Sequence, residues 1–145
     1  DLPPNVTRAY FQYDSRLRTL DGWQNLNIIM SSSFSSCTSL ERISIGAASV
    51  QGSAFSSCGN LIEVVFSGNI RTIQGGAFSS CKRVSFYDFT ACTAVPTLAS
   101  TNVFNGIPTD CQIRVPASLV DEWKAATNWA TYADYIVGVS SDDQN

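Results

Sequence analysis

A five-residue motif, Ala-Phe-Ser-Ser-Cys, occurs at residues 54–58 and 77–81 of this chain, and Ser-Phe-Ser-Ser-Cys occurs at 33–37. We call all three copies the AFSSC motif. Their phenylalanines, Phe34, Phe55 and Phe78, are 21 and 23 residues apart. Such a period is typical of repeat proteins, in which each unit must stack on its neighbours to bury its apolar face. The period therefore predicts an array of stacked units.

Apolar residues follow each anchor phenylalanine at the same distances. Position +3 is cysteine and positions +6, +9 and +11 are apolar, giving Cys37, Leu40, Ile43 and Ile45, then Cys58, Leu61, Val64 and Phe66, then Cys81, Val84, Tyr87 and Phe89. Weaker copies anchored at Phe11 and Phe104 extend the array over residues 11–115, since terminal repeats usually deviate from the pattern. Apolar alternation at +9 and +11 predicts a short strand.

A second apolar pair at −8 and −5 indicates another extended segment in each unit, with glycine and serine turns between the segments. The predicted fold is a repeat solenoid, mostly β, in which short strands lie side by side in a parallel sheet at roughly 4.8 Å spacing. We predict one domain over residues 1–139 and a disordered tail over 140–145.

The pattern AFSSC-x-x-L-x-x-V resembles the BspA-type leucine-rich repeats of bacterial surface proteins, whose units carry an Ala-Phe-x-x-Cys-x-x-Leu core. The resemblance implies a leucine-rich-repeat fold and a non-catalytic protein-recognition or adhesion module of a bacterial surface or secreted protein. It also implies an extracellular or cell-surface location, although the chain opens without a signal peptide. The alternative is a structural spacer or cap that presents another domain and has no ligand of its own.

Residues 116–139 resemble the segment that closes many such arrays, and they predict a helical cap. Ser118 is the expected N-cap, with Asp121 three residues later. Leu119, Val120 and Trp123 recur at helical spacing and predict its apolar face. The aromatic residues here suit a carbohydrate platform or a cover for the open end of the core, and we favour the cover: Trp123, Trp129, Tyr132 and Tyr135.

The AFSSC motif is not expected to be a catalytic or metal site. The chain contains no histidine, which removes Ser-His and Cys-His nucleophile pairs and histidine-ligated zinc. The cysteine spacings miss those of zinc sites, and no paired-carboxylate motif of a glycosidase is present. We interpret the five cysteines as reduced core thiols and the serine pairs of the motif as turn residues whose hydroxyls bond backbone groups. No enzyme activity, metal or cofactor is predicted.

The candidate site is the set of exposed positions between buried strand residues, at +8 and +10, which form a ladder across the sheet. The predicted ligand-binding residues are Arg42, Ser44, Glu63, Val65, Phe86, Asp88 and Arg114. Val65 and Phe86 are apolar where solvent favours polar groups, and a mixed patch of this kind suits protein recognition. Ordinary cross-strand packing is the other interpretation of these two residues.

Charge and hydropathy limit the partners. The formal net charge is −3, which argues against nucleic acid and anionic membranes as partners. No apolar run approaches the roughly 20 residues of a membrane helix, so no membrane insertion by this segment is expected. The expected partner is a protein on a host or neighbouring cell, with a glycan as the alternative.

Overall fold

A computed structural model describes residues 11–20 and 27–140 of the chain. Ten short strands in these residues form two parallel sheets. The six-stranded sheet contains, in spatial order, β1 (Thr19–Leu20), β3 (Arg42–Ile45), β5 (Glu63–Phe66), β7 (Phe86–Asp88), β9 (Gln112–Pro116) and β10 (Ile136–Val139). The four-stranded sheet contains β2 (Ile28–Ile29), β4 (Ser49–Val50), β6 (Thr72–Ile73) and β8 (Thr97–Leu98).

The mostly β, parallel architecture predicted from the repeat is confirmed, but the described residues form two such sheets where the repeat pattern predicted one. Each inner unit contributes one strand to each sheet, because both of its apolar segments pair with their equivalents in the next unit. The two sheets face each other across one core, and neither closes on itself.

The extended segment that precedes Phe104 departs from the repeat pattern. Ala99 occupies its −5 position and is exposed, whereas the neighbouring Leu98 is buried and pairs with Ile73. The four-stranded sheet thus keeps its register by placing Leu98, rather than Ala99, in the core.

The AFSSC motif forms a turn that stacks on the same turn of the next unit. Phe34 donates its backbone N–H to the carbonyl of Ala54, and Ser36 donates to Ser56, each at 2.8 Å. The phenylalanine rings stack beneath these bonds, with centroid distances of 5.2 Å from Phe34 to Phe55 and 5.3 Å from Phe55 to Phe78. The motif therefore supplies a third column of backbone hydrogen bonds beside the two sheets.

The second serine of each motif has a left-handed backbone, with φ of 58° at Ser36, 60° at Ser57 and 62° at Ser80. Few residues other than glycine adopt this region readily. The predicted bonds from the hydroxyls of the serine pairs to the backbone do not form among the described residues; the hydroxyls of Ser35 and Ser56 instead bond each other at 3.2 Å. Ser33, which precedes the phenylalanine of its motif, donates to the carbonyl of Met30 at 2.6 Å.

All five cysteines are buried free thiols. Those of the three motifs also donate to the backbone carbonyl of the anchor phenylalanine one unit earlier. Cys37 reaches Phe11 at 3.0 Å, and the other two donors lie 3.2 Å from their acceptors. Burial is the main cause that raises the thiol pKa, to about 11 for Cys37 and about 12 for Cys111.

The closing segment is less helical than predicted. A 3-10 turn, Ala117–Leu119, leads into one short helix, α1 (Val120–Ala125), and a second 3-10 stretch spans Trp129–Tyr135. The expected N-cap at Ser118 is wrong, because α1 begins after Leu119 and has no side-chain cap. Residues 136–139, assigned to the helical cap, form β10, since their β-branched residues pair with the otherwise open edge of β9.

The aromatic residues of this segment cover the core. Trp123 and Trp129 are fully buried and both contact Phe89 at 5.4 Å between ring centroids, so they cannot form a carbohydrate platform. Trp129 Nε1 donates to the carbonyl of Pro96 at 2.8 Å, and Asn128 Nδ2 donates to that of Leu98 at 2.7 Å. Pro96 immediately precedes the edge strand β8 and Leu98 is its last residue, so side-chain donors replace the next strand.

The predicted tail, 140–145, lies outside the described residues except for Ser140, and the domain boundary at residue 139 stays a prediction. Within residues 11–20 and 27–140, no helix has the length and apolar character needed to span a membrane.

Candidate functional site

The seven predicted site residues lie on the solvent side of the six-stranded sheet, which we call the outer face. Their strands alternate buried and less buried residues, so every second side chain points outward. The register forms two rows across the strands: Arg42, Glu63, Phe86 and Gln112 in one, and Ser44, Val65, Asp88 and Arg114 in the other. This arrangement matches the predicted ladder, whereas its binding role stays a prediction.

Arg42 and Glu63 form the ion pair of the first row. Arg42 Nε donates to Glu63 Oε2 at 3.2 Å, and 59% and 36% of the two side chains are exposed. An exposed pair contributes at most about 1 kcal/mol to stability. Both groups can therefore exchange this contact for a partner's charges at little cost.

Phe86 lies next to Glu63 and is half-buried. The guanidinium carbon of Arg114 lies 4.1 Å from the centroid of its ring, and Arg114 Nε also donates to Gln112 Oε1 at 2.9 Å. Cation–π contact and cross-strand packing thus orient both side chains. The arginine keeps further donors that can contact a carboxylate or a backbone carbonyl.

Val65 and Asp88 form the centre of the second row. Val65 is half-buried between Ser44 on one side and Asp88 on the other. Asp88 Oδ1 accepts hydrogen bonds from the backbone N–H and the hydroxyl of Thr90, at 2.9 and 2.6 Å. The Asp88 carboxylate is held by its own turn, so its position does not depend on a ligand.

Four of the predicted residues line a shallow depression of about 250 Å³ at one end of the outer face: Arg42, Ser44, Glu63 and Val65, together with Thr19 and Ile43. Phe86, Asp88 and Arg114 are outside it. Its volume is below the roughly 300 Å³ at which small-molecule pockets begin. The geometry suits a ligand that covers the face rather than one enclosed by it.

A second, more polar depression of about 290 Å³ was not predicted from the sequence; it is lined by Arg18, Ser39, Glu41, Asn60, Ile62 and Arg83. Arg83 Nη1 donates to Asn60 Oδ1 at 2.9 Å, and Asn60 Nδ2 donates to the carbonyl of Thr38 at 2.7 Å. The signal was present, because these residues occupy positions +5 and +7 of successive units. Those positions vary in charge and size, so the repeat did not draw attention to them.

Metal-ligand side chains do not cluster in the described part of the chain, where no three cysteine, aspartate or glutamate residues are grouped to hold an ion. The thiols lie in the core rather than on either depression. The described arrangement offers a surface with charged, amide and aromatic groups.

Comparison with known sequences identifies the repeat. A search of curated proteins gave no match. The family model described as BspA type leucine-rich repeat region matches residues 4–111 in six copies, and this range contains all three AFSSC motifs and most of the chain. The chain therefore belongs to the BspA-type leucine-rich-repeat family.

Proposed function

We propose that this chain is a solenoid recognition module of a bacterial surface or secreted protein, and that its outer face binds a protein on a host or neighbouring cell. Membership of the BspA-type family supports a repeat module for protein interaction. One observation carries the assignment to the outer face: the apolar Val65 and Phe86 stand at its centre, with charged side chains around them.

The composition of the outer face suits this role. Protein interfaces are enriched in aromatic residues and arginine at their centres and have polar rims. Phe86 with Arg114 matches such a centre, while Arg42 and Glu63 match the rim. Strands fix the backbone of these residues, so little backbone entropy is lost when a partner binds.

A binding assay on arrayed secreted and cell-surface ectodomains tests the proposal. For each protein bound, we expect Phe86→Ala to raise Kd about tenfold or more, which corresponds to about 1.4 kcal/mol. Thr72→Ala on the four-stranded sheet is the matched control and should leave Kd unchanged. Urea unfolding of both variants separates lost contacts from lost stability. Binding that Phe86→Ala does not weaken contradicts the assignment to the outer face.

A glycan is the second candidate ligand, and the polar depression around Arg83 favours it. Amide, hydroxyl, carboxylate and guanidinium groups there can donate to and accept from sugar hydroxyls. A glycan array tests this candidate. If glycan binding is lost in Arg83→Ala and kept in Phe86→Ala, the result supports a glycan rather than a protein ligand. A chain that binds neither array supports the spacer function instead.

A further inference from the structure

The last unit replaces the serine pair of the AFSSC motif with Asn105-Gly106, which follows the anchor Phe104. Asn105 is the one asparagine of the chain that precedes a glycine. Both residues are exposed, and Gly106 has φ of 85°, the left-handed conformation found at this position in the inner motifs. The turn is therefore kept, with a chemically different pair of residues at its tip.

The backbone amide of Gly106 differs from its equivalents in the inner units. There the N–H at +2 donates to the +1 carbonyl of the next unit: Ser36 to Ser56 and Ser57 to Ser79 at 2.8 Å, and Ser80 to Asn105 at 2.7 Å. No further motif turn stacks on the last one, and within the described residues the Gly106 N–H has no hydrogen-bond acceptor. The end of the turn column thus leaves a backbone nitrogen free beside an asparagine side chain.

We propose that Asn105 is a site of spontaneous deamidation, with the Gly106 amide nitrogen as the nucleophile. That nitrogen gives its proton to water and attacks Asn105 Cγ. A new N–Cγ bond forms, the Cγ–Nδ2 bond breaks, and Nδ2 takes a proton back from water and leaves as ammonia. The product is a five-membered succinimide. Water then opens either of its carbonyls and yields aspartate or isoaspartate at position 105.

Local structure favours the attack. Glycine has no Cβ to obstruct the approach of its nitrogen to the neighbouring side chain. The Asn105 side chain is exposed to solvent and has no hydrogen-bond partner among the described residues, so it can rotate toward that nitrogen. Two backbone hydrogen bonds hold the ends of the turn during the attack. Asn105 N–H donates to the Asn102 carbonyl at 3.1 Å, and Ile107 N–H donates to that of Phe104 at 2.9 Å.

The product alters a contact between units. Asn105 accepts the N–H of Ser80 through its carbonyl, so this residue joins the last turn to the preceding one. Deamidation adds a negative charge there, and isoaspartate also lengthens the backbone by one carbon. We expect the modified turn to stack less well on the Ser80 turn.

Peptide mapping of the folded protein tests the proposal during incubation at mildly alkaline pH and body temperature. We expect a gain of one mass unit on the peptide containing Asn105, and labelling of that position by protein isoaspartyl methyltransferase. Asn60 and Asn102 precede bulky residues and should stay intact. Failure to detect isoaspartate at position 105, or faster conversion of Asn60 or Asn102, overturns the proposal.

A matched variant tests the role of the free amide. Ser56→Asn combined with Ser57→Gly places the same dipeptide in an inner turn, where the amide at 57 donates to Ser79. We expect this asparagine to deamidate several-fold more slowly than Asn105 in the same molecule. Ser35→Asn with Ser36→Gly provides a second inner site if the first variant does not fold. Equal rates at the inner and terminal sites overturn the assignment to the unpaired amide.

Discussion

The thiol of Cys58 donates a hydrogen bond to the backbone carbonyl of Phe34 at 3.2 Å, across the boundary between two units. Both residues are fully buried. Cys37 and Cys81 make the same contact with the phenylalanine of the preceding unit. The repeated cysteine thus combines a small apolar volume with a donor, and Ala and Ser each supply only one of these two properties.

Cys58→Ala should lower the free energy of unfolding by about 2–3 kcal/mol, because it removes a donor and leaves a void in the core. Cys111→Ala is the control, since that buried thiol lies 3.8 Å from its nearest acceptor and makes at most a weak bond. Urea unfolding followed by circular dichroism measures both. A loss from Cys58→Ala no larger than that from Cys111→Ala contradicts the role of the hydrogen bond.

Stability should fall at alkaline pH. Burial, and next the neighbouring Cys58, raise the pKa of Cys37 to about 11, while an unfolded cysteine ionises near about 8.5. Between these values the unfolded state binds fewer protons than the folded state, so the free energy of unfolding decreases as pH rises. The stabilisation is complete below the unfolded pKa and is lost through the folded one.

Urea unfolding at a series of pH values measures this slope, which reaches at most about 1.4 kcal/mol per pH unit for each thiol. The double variant Cys37→Ala with Cys111→Ala should show a shallower decline, and an unchanged slope contradicts the assignment. Thiol titration of the denatured, unreduced protein should find five free thiols. Three or fewer would contradict the interpretation of the cysteines as reduced core residues.

Ser57→Gly should raise the free energy of unfolding by up to about 1 kcal/mol. Ser57 has φ of 60° and is exposed, so glycine relieves the cost of the left-handed backbone without loss of packing. Ser56 has no positive φ and its hydroxyl bonds that of Ser35, so Ser56→Gly should destabilise through chain entropy and through the loss of this bond. The two urea midpoints should shift in opposite directions, and a parallel shift rules out this explanation of the turn.

The core was predictable from the repeat, because the apolar positions that recur in each unit are the ones that face the core. Residues such as Phe34, Cys58 and Val64 occupy fixed positions in each unit and are all buried. The pattern could not predict β10, since Ile136–Val139 lies beyond the last repeat and pairs with β9 across the irregular residues 117–135. Nor could it predict the thiol hydrogen bonds, because the acceptor is a backbone carbonyl and leaves no trace in side-chain spacing.

The candidate site, too, was predictable only in part. The two rows of the outer face follow from strand alternation, so Arg42 opposite Glu63 and Phe86 opposite Gln112 were predictable. Arg114 and Phe86 lie diagonally opposite each other on neighbouring strands. Their contact depends on side-chain rotamers, which strand alternation does not determine. The depression around Arg83 depends on turn geometry, which the positions of apolar residues do not determine.

Tyr87→Phe should stabilise the protein, by about 1 kcal/mol, in contrast to most core substitutions. The Tyr87 hydroxyl is fully buried and has no hydrogen-bond partner among the described residues, so it loses its hydration without compensation. Tyr132→Phe is the control, because its hydroxyl donates to the carbonyl of Thr101. Thermal unfolding should show a higher Tm for Tyr87→Phe and a lower one for Tyr132→Phe; a lower Tm for both would indicate that Tyr87 has a partner.

A comparison of Trp129 with Trp123 separates two contributions to stability: the hydrogen bond to the Pro96 carbonyl and aromatic packing. Both are fully buried and both contact Phe89, but only the Trp129 indole N–H has an acceptor, the Pro96 carbonyl at 2.8 Å. Phenylalanine removes a similar volume at either position. Trp129→Phe also leaves a buried carbonyl beside β8 unpaired, whereas Trp123→Phe removes an indole N–H that lacks a partner in the described residues.

We therefore expect Trp129→Phe to cost about 1–3 kcal/mol more than Trp123→Phe in urea unfolding. Hydrogen exchange locates the effect. The amides of Thr97 and Ala99 donate to the carbonyls of Arg71 and Ile73 in the preceding unit, and they should lose protection only in the Trp129 variant. Equal destabilisation by the two substitutions, with Thr97 and Ala99 equally protected, would mean that packing alone seals this end of the array.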